Sequence, residues 1–133
     1  MRRIILHVHQ GLAWVVLAGL LLQFYWAGMA LFGATSFEFH RTWGYLLAIP
    51  ILLLLVLALA GRLGRRLIGL SALLVVLTVV QVMLPSLRFS VPLVAALHVV
   101  NALALLGVSA AIARQGRAEA LAQGRTARDA SLV

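Results

Sequence analysis

The amino-acid sequence predicts an all-α, polytopic membrane protein: an up-down-up-down four-helix bundle built from two repeated helical hairpins. Three observations predict it. Of 133 residues, 64% are hydrophobic and only 11% charged, more apolar surface than a soluble domain this small can bury. Four apolar runs, about 4–32, 39–60, 67–84 and 92–113, each reach the roughly 18–20 residues that cross a hydrocarbon core. None alternates apolar and polar residues as the strands of a membrane barrel would, and a helix satisfies its own backbone in lipid.

Each element has its own punctuation. The first span, 4–32, ends at Gly33-Ala34-Thr35-Ser36. Arg2 and Arg3 ahead of it resemble the charged start of a secretion signal, but the apolar run is about twice the usual signal length, so it reads as a retained helix. Thr35 followed three residues later by Glu38 reads as a capping box opening the second helix, 36–60. Gly61-Arg62-Leu63-Gly64 separates it from the third, 66–84. Pro85 to Pro92 forms the next break, with Ser90 as a cap and Pro92 in the first turn of the fourth helix, 91–113. Thus 1–114 reads as a four-helix transmembrane domain. Residues 115–133, rich in Ala, Arg and Gln, read as a frayed or disordered basic cytoplasmic tail.

Orientation follows from arginine, which supplies all eleven basic residues. Threading four helices puts nine of them with the two termini, leaving only Arg41 and Arg88 on the other side. The positive-inside rule then places both termini in the cytoplasm. The net charge of +8 is mostly this topological signal, and no soluble basic domain exists to bind nucleic acid. The absence of cysteine excludes disulfides, thiol nucleophiles and covalent c-type haem. There is neither a nucleophile–base pair nor a phosphate loop, so no catalytic residue is assigned.

A duplication at an offset of 58 maps Gln23 onto Gln81, His40 onto His98 and Gly44 onto Ala102. Polar residues are scarce, which makes the Gln and His matches informative. The hairpins would be related by a pseudo-twofold axis along the membrane normal. Intramembrane polar groups cost free energy and ask for partners. His40 should lie about one turn inside the outer boundary and His98 about two, a depth difference of about 5 Å. Gly44 lies on the face of His40, and Ala102 on that of His98. Gln23 and Gln81 approach the same level, so polarity should concentrate in the outer half. His7 and His9, near the cytoplasmic end, read as interfacial; Trp26 and Trp43 read as belt anchors.

Two imidazoles without a carboxylate suit haem iron, which needs one or two axial ligands, better than a bare divalent ion, which wants three or four. Haem b between His40 and His98 is therefore the expected cofactor, with Arg41 and Arg88 placed for its propionates. Asn101 belongs to the same candidate site. The bland alternatives are interhelical hydrogen bonding by these histidines, with Gln23, Gln81 and Asn101 as helix–helix glue, or binding of a quinone; Arg41 and Glu38 can also simply pair with each other.

His40-Arg41-Thr42-Trp43-Gly44 at the start of the second helix resembles the His-Arg pattern of the haem A synthases, whose four-helix halves carry one His near the outer end of the second helix and one on the fourth. Glu38 resembles an acidic residue preceding that histidine, at a shorter spacing. The chain is also similar, over about residues 5–113, to a group of small bacterial four-helix membrane proteins with a His-Arg-x-x-Gly motif and a later His-x-x-Asn, here His98-Val99-Val100-Asn101. The resemblance implies a haem-binding bundle in a bacterial inner membrane, with a second copy or a membrane complex as partner. Four helices rather than eight, and no outer-loop cysteine pair, mean that haem A synthesis itself is not implied. The functional expectation is electron transfer, with quinol as a candidate partner, or haem handling. The alternatives are a non-catalytic structural or assembly subunit and, third, a small transporter, which the lack of a deep acidic residue disfavours.

Overall fold

The structure is a computed structural model that describes residues 1–130. It is all-helical among those residues: α1 (Arg2–Leu31), α2 (Glu38–Ala60), α3 (Arg65–Met83), a 3-10 segment (Leu84–Phe89), a single turn α4 (Pro92–Ala95) and α5 (Leu97–Ala130). Four stretches are long and apolar enough to cross a membrane: Arg2–Leu31, Glu38–Ala60, Arg65–Phe89 and Pro92–Glu119. The chain is a multi-pass membrane protein. α1 packs on α2 and α5, and α3 packs on the same two helices, so α2 and α5 stand diagonally opposite.

The helix ends follow local chemistry, with corrections to the expected caps. α1 ends in a turn that closes at Gly33, whose φ of +75° lies in the left-handed region that glycine adopts without strain. The capping box from Thr35 does not form. Ser36 Oγ instead accepts the Glu38 N–H at 3.3 Å, and α2 starts at Glu38. Ser90 does not cap the last span either: its hydroxyl donates to the Leu87 carbonyl at 3.4 Å, Val91 takes the N-cap position, and Pro92 opens the first turn as expected. Pro50 lies inside α2. Membrane helices tolerate such an interruption because neighbours can satisfy the freed carbonyl.

α5 runs on to Ala130, so residues 115–130 continue the last helix, while 131–133 lie outside the described residues.

Apolar side chains face outward along every span, as a lipid solvent requires; Val15, Ile49, Val76 and Leu103 are all more than half exposed. The core is a thin stripe that includes Leu6, Val16, Leu54, Leu67, Leu74 and Ile112. Lipid tails are as apolar as these side chains, so close packing and interhelical hydrogen bonds hold such a bundle together.

One polar position departs from expectation. His9, expected at the interface, is fully buried in the half of the bundle that carries the termini, with Nε2 3.4 Å from Ser71 Oγ. Ser71 and Ser109 are also fully buried. His9 lies about two turns into α1, on the face that carries the buried Leu6, Ala13 and Val16. His7 is exposed and bonds the Arg3 carbonyl, as an interfacial residue would.

Candidate functional site

The diagonal opposition of α2 and α5 leaves a cavity of about 940 Å³ between them, near the end of the bundle where the α1–α2 and α3–α5 connections lie. Leu20, Leu47, Ile51, Thr78 and Leu105 line its deeper part, with Phe24 and Phe37 also contributing. His40, Arg41 and Gly44 line it from α2, His98 from α5 and Arg88 from the 3-10 segment. Five of the six residues expected at the site are therefore brought together. The sixth, Asn101, is not among the lining residues and sits behind Gln81 instead.

The two histidine rings face each other across this space, with centroids 6.1 Å apart and planes inclined at 70°. Each is anchored in the same way. His40 Nδ1 lies 3.1 Å from the Gln23 carbonyl, and His98 Nδ1 lies 3.0 Å from the Gln81 carbonyl. A carbonyl only accepts, so Nδ1 carries the proton in both rings and Nε2 keeps the lone pair. The anchors are separated by 58 residues, the offset of the sequence repeat. A second pair of bonds obeys the same offset. Trp43 Nε1 donates to the Gly19 carbonyl at 3.0 Å, and Asn101 Nδ2 donates to the Leu77 carbonyl at 2.9 Å. Trp43 is thus an interhelical strut that packs against the core, rather than a belt anchor. Its indole reaches α1 because it points into the bundle from the first turns of α2. Trp26 stacks on Phe39, with centroids 5.3 Å apart.

Gln23 and Gln81 are part of this site, and both line the cavity. Gln81 Nε2 lies 3.2 Å from His98 Nε2, and Gln81 Oε1 accepts from Asn101 at 2.7 Å. Gln23 lays its amide over Gly44, where an added Cβ would sit 2.6 Å from Gln23 Nε2. Glycine at 44 therefore makes room for the amide. The sequence signal that could have promoted the glutamines from glue to site was already present: each stands 17 residues before its histidine.

The rim is charged. Arg41 donates to Glu38 Oε1 at 2.7 Å, and both side chains are mostly exposed. This is the simple pairing that the sequence also allowed, and at such exposure it contributes little stability. Arg88 lies over the Phe89 ring at 4.3 Å. Among the described residues, no three metal-ligating side chains gather into a cluster.

Residues 23–87, just under half of the chain, match the profile of a family of unknown function (DUF6220). The match takes in Gln23, His40, Arg41, Gly44 and Gln81, and stops before His98. No curated protein matches the chain. No solved structure matches it either. What the chain is similar to thus shares most of the first hairpin and α3, and carries no assigned activity.

Proposed function

We propose that this membrane protein holds one b-type haem between His40 and His98, for electron transfer or haem handling. The observation that carries the reading is the matched pair of Nδ1–carbonyl bonds, which fixes both rings as the tautomer with its lone pair on Nε2. Metal-binding histidines are typically held this way, by a backbone carbonyl on the second nitrogen. The spacing also fits. A metal–imidazole bond of about 2.1 Å, with each nitrogen about 1.1 Å from its ring centre, would put two in-line centroids about 6.4 Å apart. The rings stand at 6.1 Å. The cavity of about 940 Å³ lies within the range of cofactor pockets. Arg41 and Arg88 at its rim suit propionate carboxylates, with Arg41 exchanging its Glu38 partner. A bare divalent ion would want a third protein ligand from the same level.

When bound, haem supplies a one-electron couple. The chain's own contribution is to fix the imidazoles, enclose the macrocycle in apolar side chains and present cations to its acidic edge. The arginine asymmetry supports an arrangement with both termini in the cytoplasm and this cavity toward the outer face. Quinol, a second copy or a larger membrane complex remain the partners this reading would call for.

A second reading has a specific observation in its favour. Both nitrogens of His98 are engaged by Gln81, so the histidines can serve as interhelical bonds in a structural subunit. The visible spectrum separates the two. Expressed with ample haem and purified in detergent, the protein should show a Soret band and sharp reduced α and β bands. The sharp α and β bands should vanish in both His40→Ala and His98→Ala. A colourless wild-type protein would leave the structural reading standing alone.

A further inference from the structure

His40 and His98 occupy equivalent places in the two hairpins, yet their free nitrogens are not equivalent. The proton positions in the second hairpin follow from one fixed point. The Leu77 carbonyl accepts from Asn101 Nδ2 at 2.9 Å, so that atom is the amide NH2. It also reaches Gln81 Oε1 at 2.7 Å. Gln81 must then turn its own NH2 toward His98 Nε2, 3.2 Å away. His98 Nδ1 is already committed to the Gln81 carbonyl, so its Nε2 lone pair receives the Gln81 amide. The His98 lone pair is capped.

In the first hairpin Trp43 stands where Asn101 stands in the second. An indole has one N–H, and Trp43 spends it on the Gly19 carbonyl. Nothing remains for Gln23, whose Oε1 is buried without a partner. His40 is held through Nδ1, and among the described residues no hydrogen bond engages its Nε2. One exchange, Trp43 against Asn101, therefore leaves one histidine open and the other covered by a side-chain relay.

Resting on the haem reading above, we infer that His40 is the permanent axial ligand and His98 a displaceable one, which exchanges between iron and the Gln81 amide and so leaves a coordination position for a neutral diatomic ligand such as carbon monoxide. In the exchange the iron–His98 bond breaks and an iron–carbon bond forms. No electron or proton moves, and the His98 lone pair passes to the Gln81 N–H. The relay engages His98 only when the ring is off the iron. One or two hydrogen bonds of ordinary net strength shift that equilibrium about ten- to a hundredfold.

The test uses the full chain in detergent, reduced with dithionite and titrated with carbon monoxide. Wild type should bind it, with a shifted Soret band. Gln81→Leu should keep its haem and bind carbon monoxide at least about tenfold more weakly, because His98 competes unopposed. His98→Ala should retain haem that binds the gas readily, whereas His40→Ala should lose its haem. A histidine variant that failed to fold would also lose colour, so Gln81→Leu, which keeps both histidines, carries the decision. Haem-loaded wild type that gives no carbonyl spectrum, or equal affinity in Gln81→Leu, overturns the inference while leaving the haem site intact. Wild type without a Soret band overturns the haem reading and the inference with it.

Discussion

Asn101→Leu tests the polar relay as a structural element, independently of any cofactor. The substitution is close to isosteric and removes two interhelical hydrogen bonds, one to the Leu77 carbonyl at 2.9 Å and one to Gln81 Oε1 at 2.7 Å. Hydrogen bonds between membrane helices average about 0.6 kcal/mol and reach about 1.7 kcal/mol. Losing both should cost about 1–3 kcal/mol, since α3 and α5 are held side by side here and Gln81 Oε1 is left without its donor. Gln81→Leu on top of Asn101→Leu removes that stranded acceptor, so the double variant should be less destabilised than the sum of the two single ones. The assay is reversible unfolding in mixed micelles of increasing sodium dodecyl sulfate, followed by far-ultraviolet circular dichroism. Asn101→Leu within about 0.3 kcal/mol of wild type, or strict additivity in the double-mutant cycle, would refute the reasoning.

Further outcomes follow from other positions. Gly44→Leu should push the Gln23 amide into the cavity, since even a Cβ there meets Gln23 Nε2 at 2.6 Å; the Soret band should disappear while helix content by circular dichroism stays unchanged. Leu54→Ala empties a fully buried core position and should cost about 2–5 kcal/mol, read by thermal unfolding in detergent. A green fluorescent protein fused after Val133 should fluoresce, and alkaline phosphatase fused in the Gly33 loop should be active, if the arginine asymmetry sets the topology. The opposite pattern would invert the bundle and turn the cavity toward the cytoplasm.

Much of the fold was legible in the sequence because lipid imposes a simple rule: every span must be apolar, long and helical. The four runs and their Gly- and Pro-bearing breaks reported that rule directly. Side-chain detail at the breaks was less legible. Thr35 and Ser36 are adjacent hydroxyls, and only the backbone path decides which one reaches the Glu38 N–H. His9 lay within two turns of a helix start, where sequence position alone does not reveal which face the ring takes; it shares the face of Leu6, Ala13 and Val16 and turns toward Ser71 of α3, diagonally across the core. The pairing of the two histidines with their glutamines was legible, since the offset of 58 between Gln–His pairs survives in the folded hydrogen bonds. Its third correspondence was hidden. Trp43 and Asn101 share no chemistry by name, but each presents an N–H to a backbone carbonyl four residues before the paired glutamine. Residue identity obscured an equivalence that donor geometry reveals, and with it the difference between the two histidines.

Haemin titration of the purified apoprotein in lipid nanodiscs tests the central claim most directly. The difference spectrum should saturate at one haem per chain and be lost in His40→Ala and Gly44→Leu while both remain folded. Titration without saturation, or equal haem uptake by His40→Ala, would contradict it.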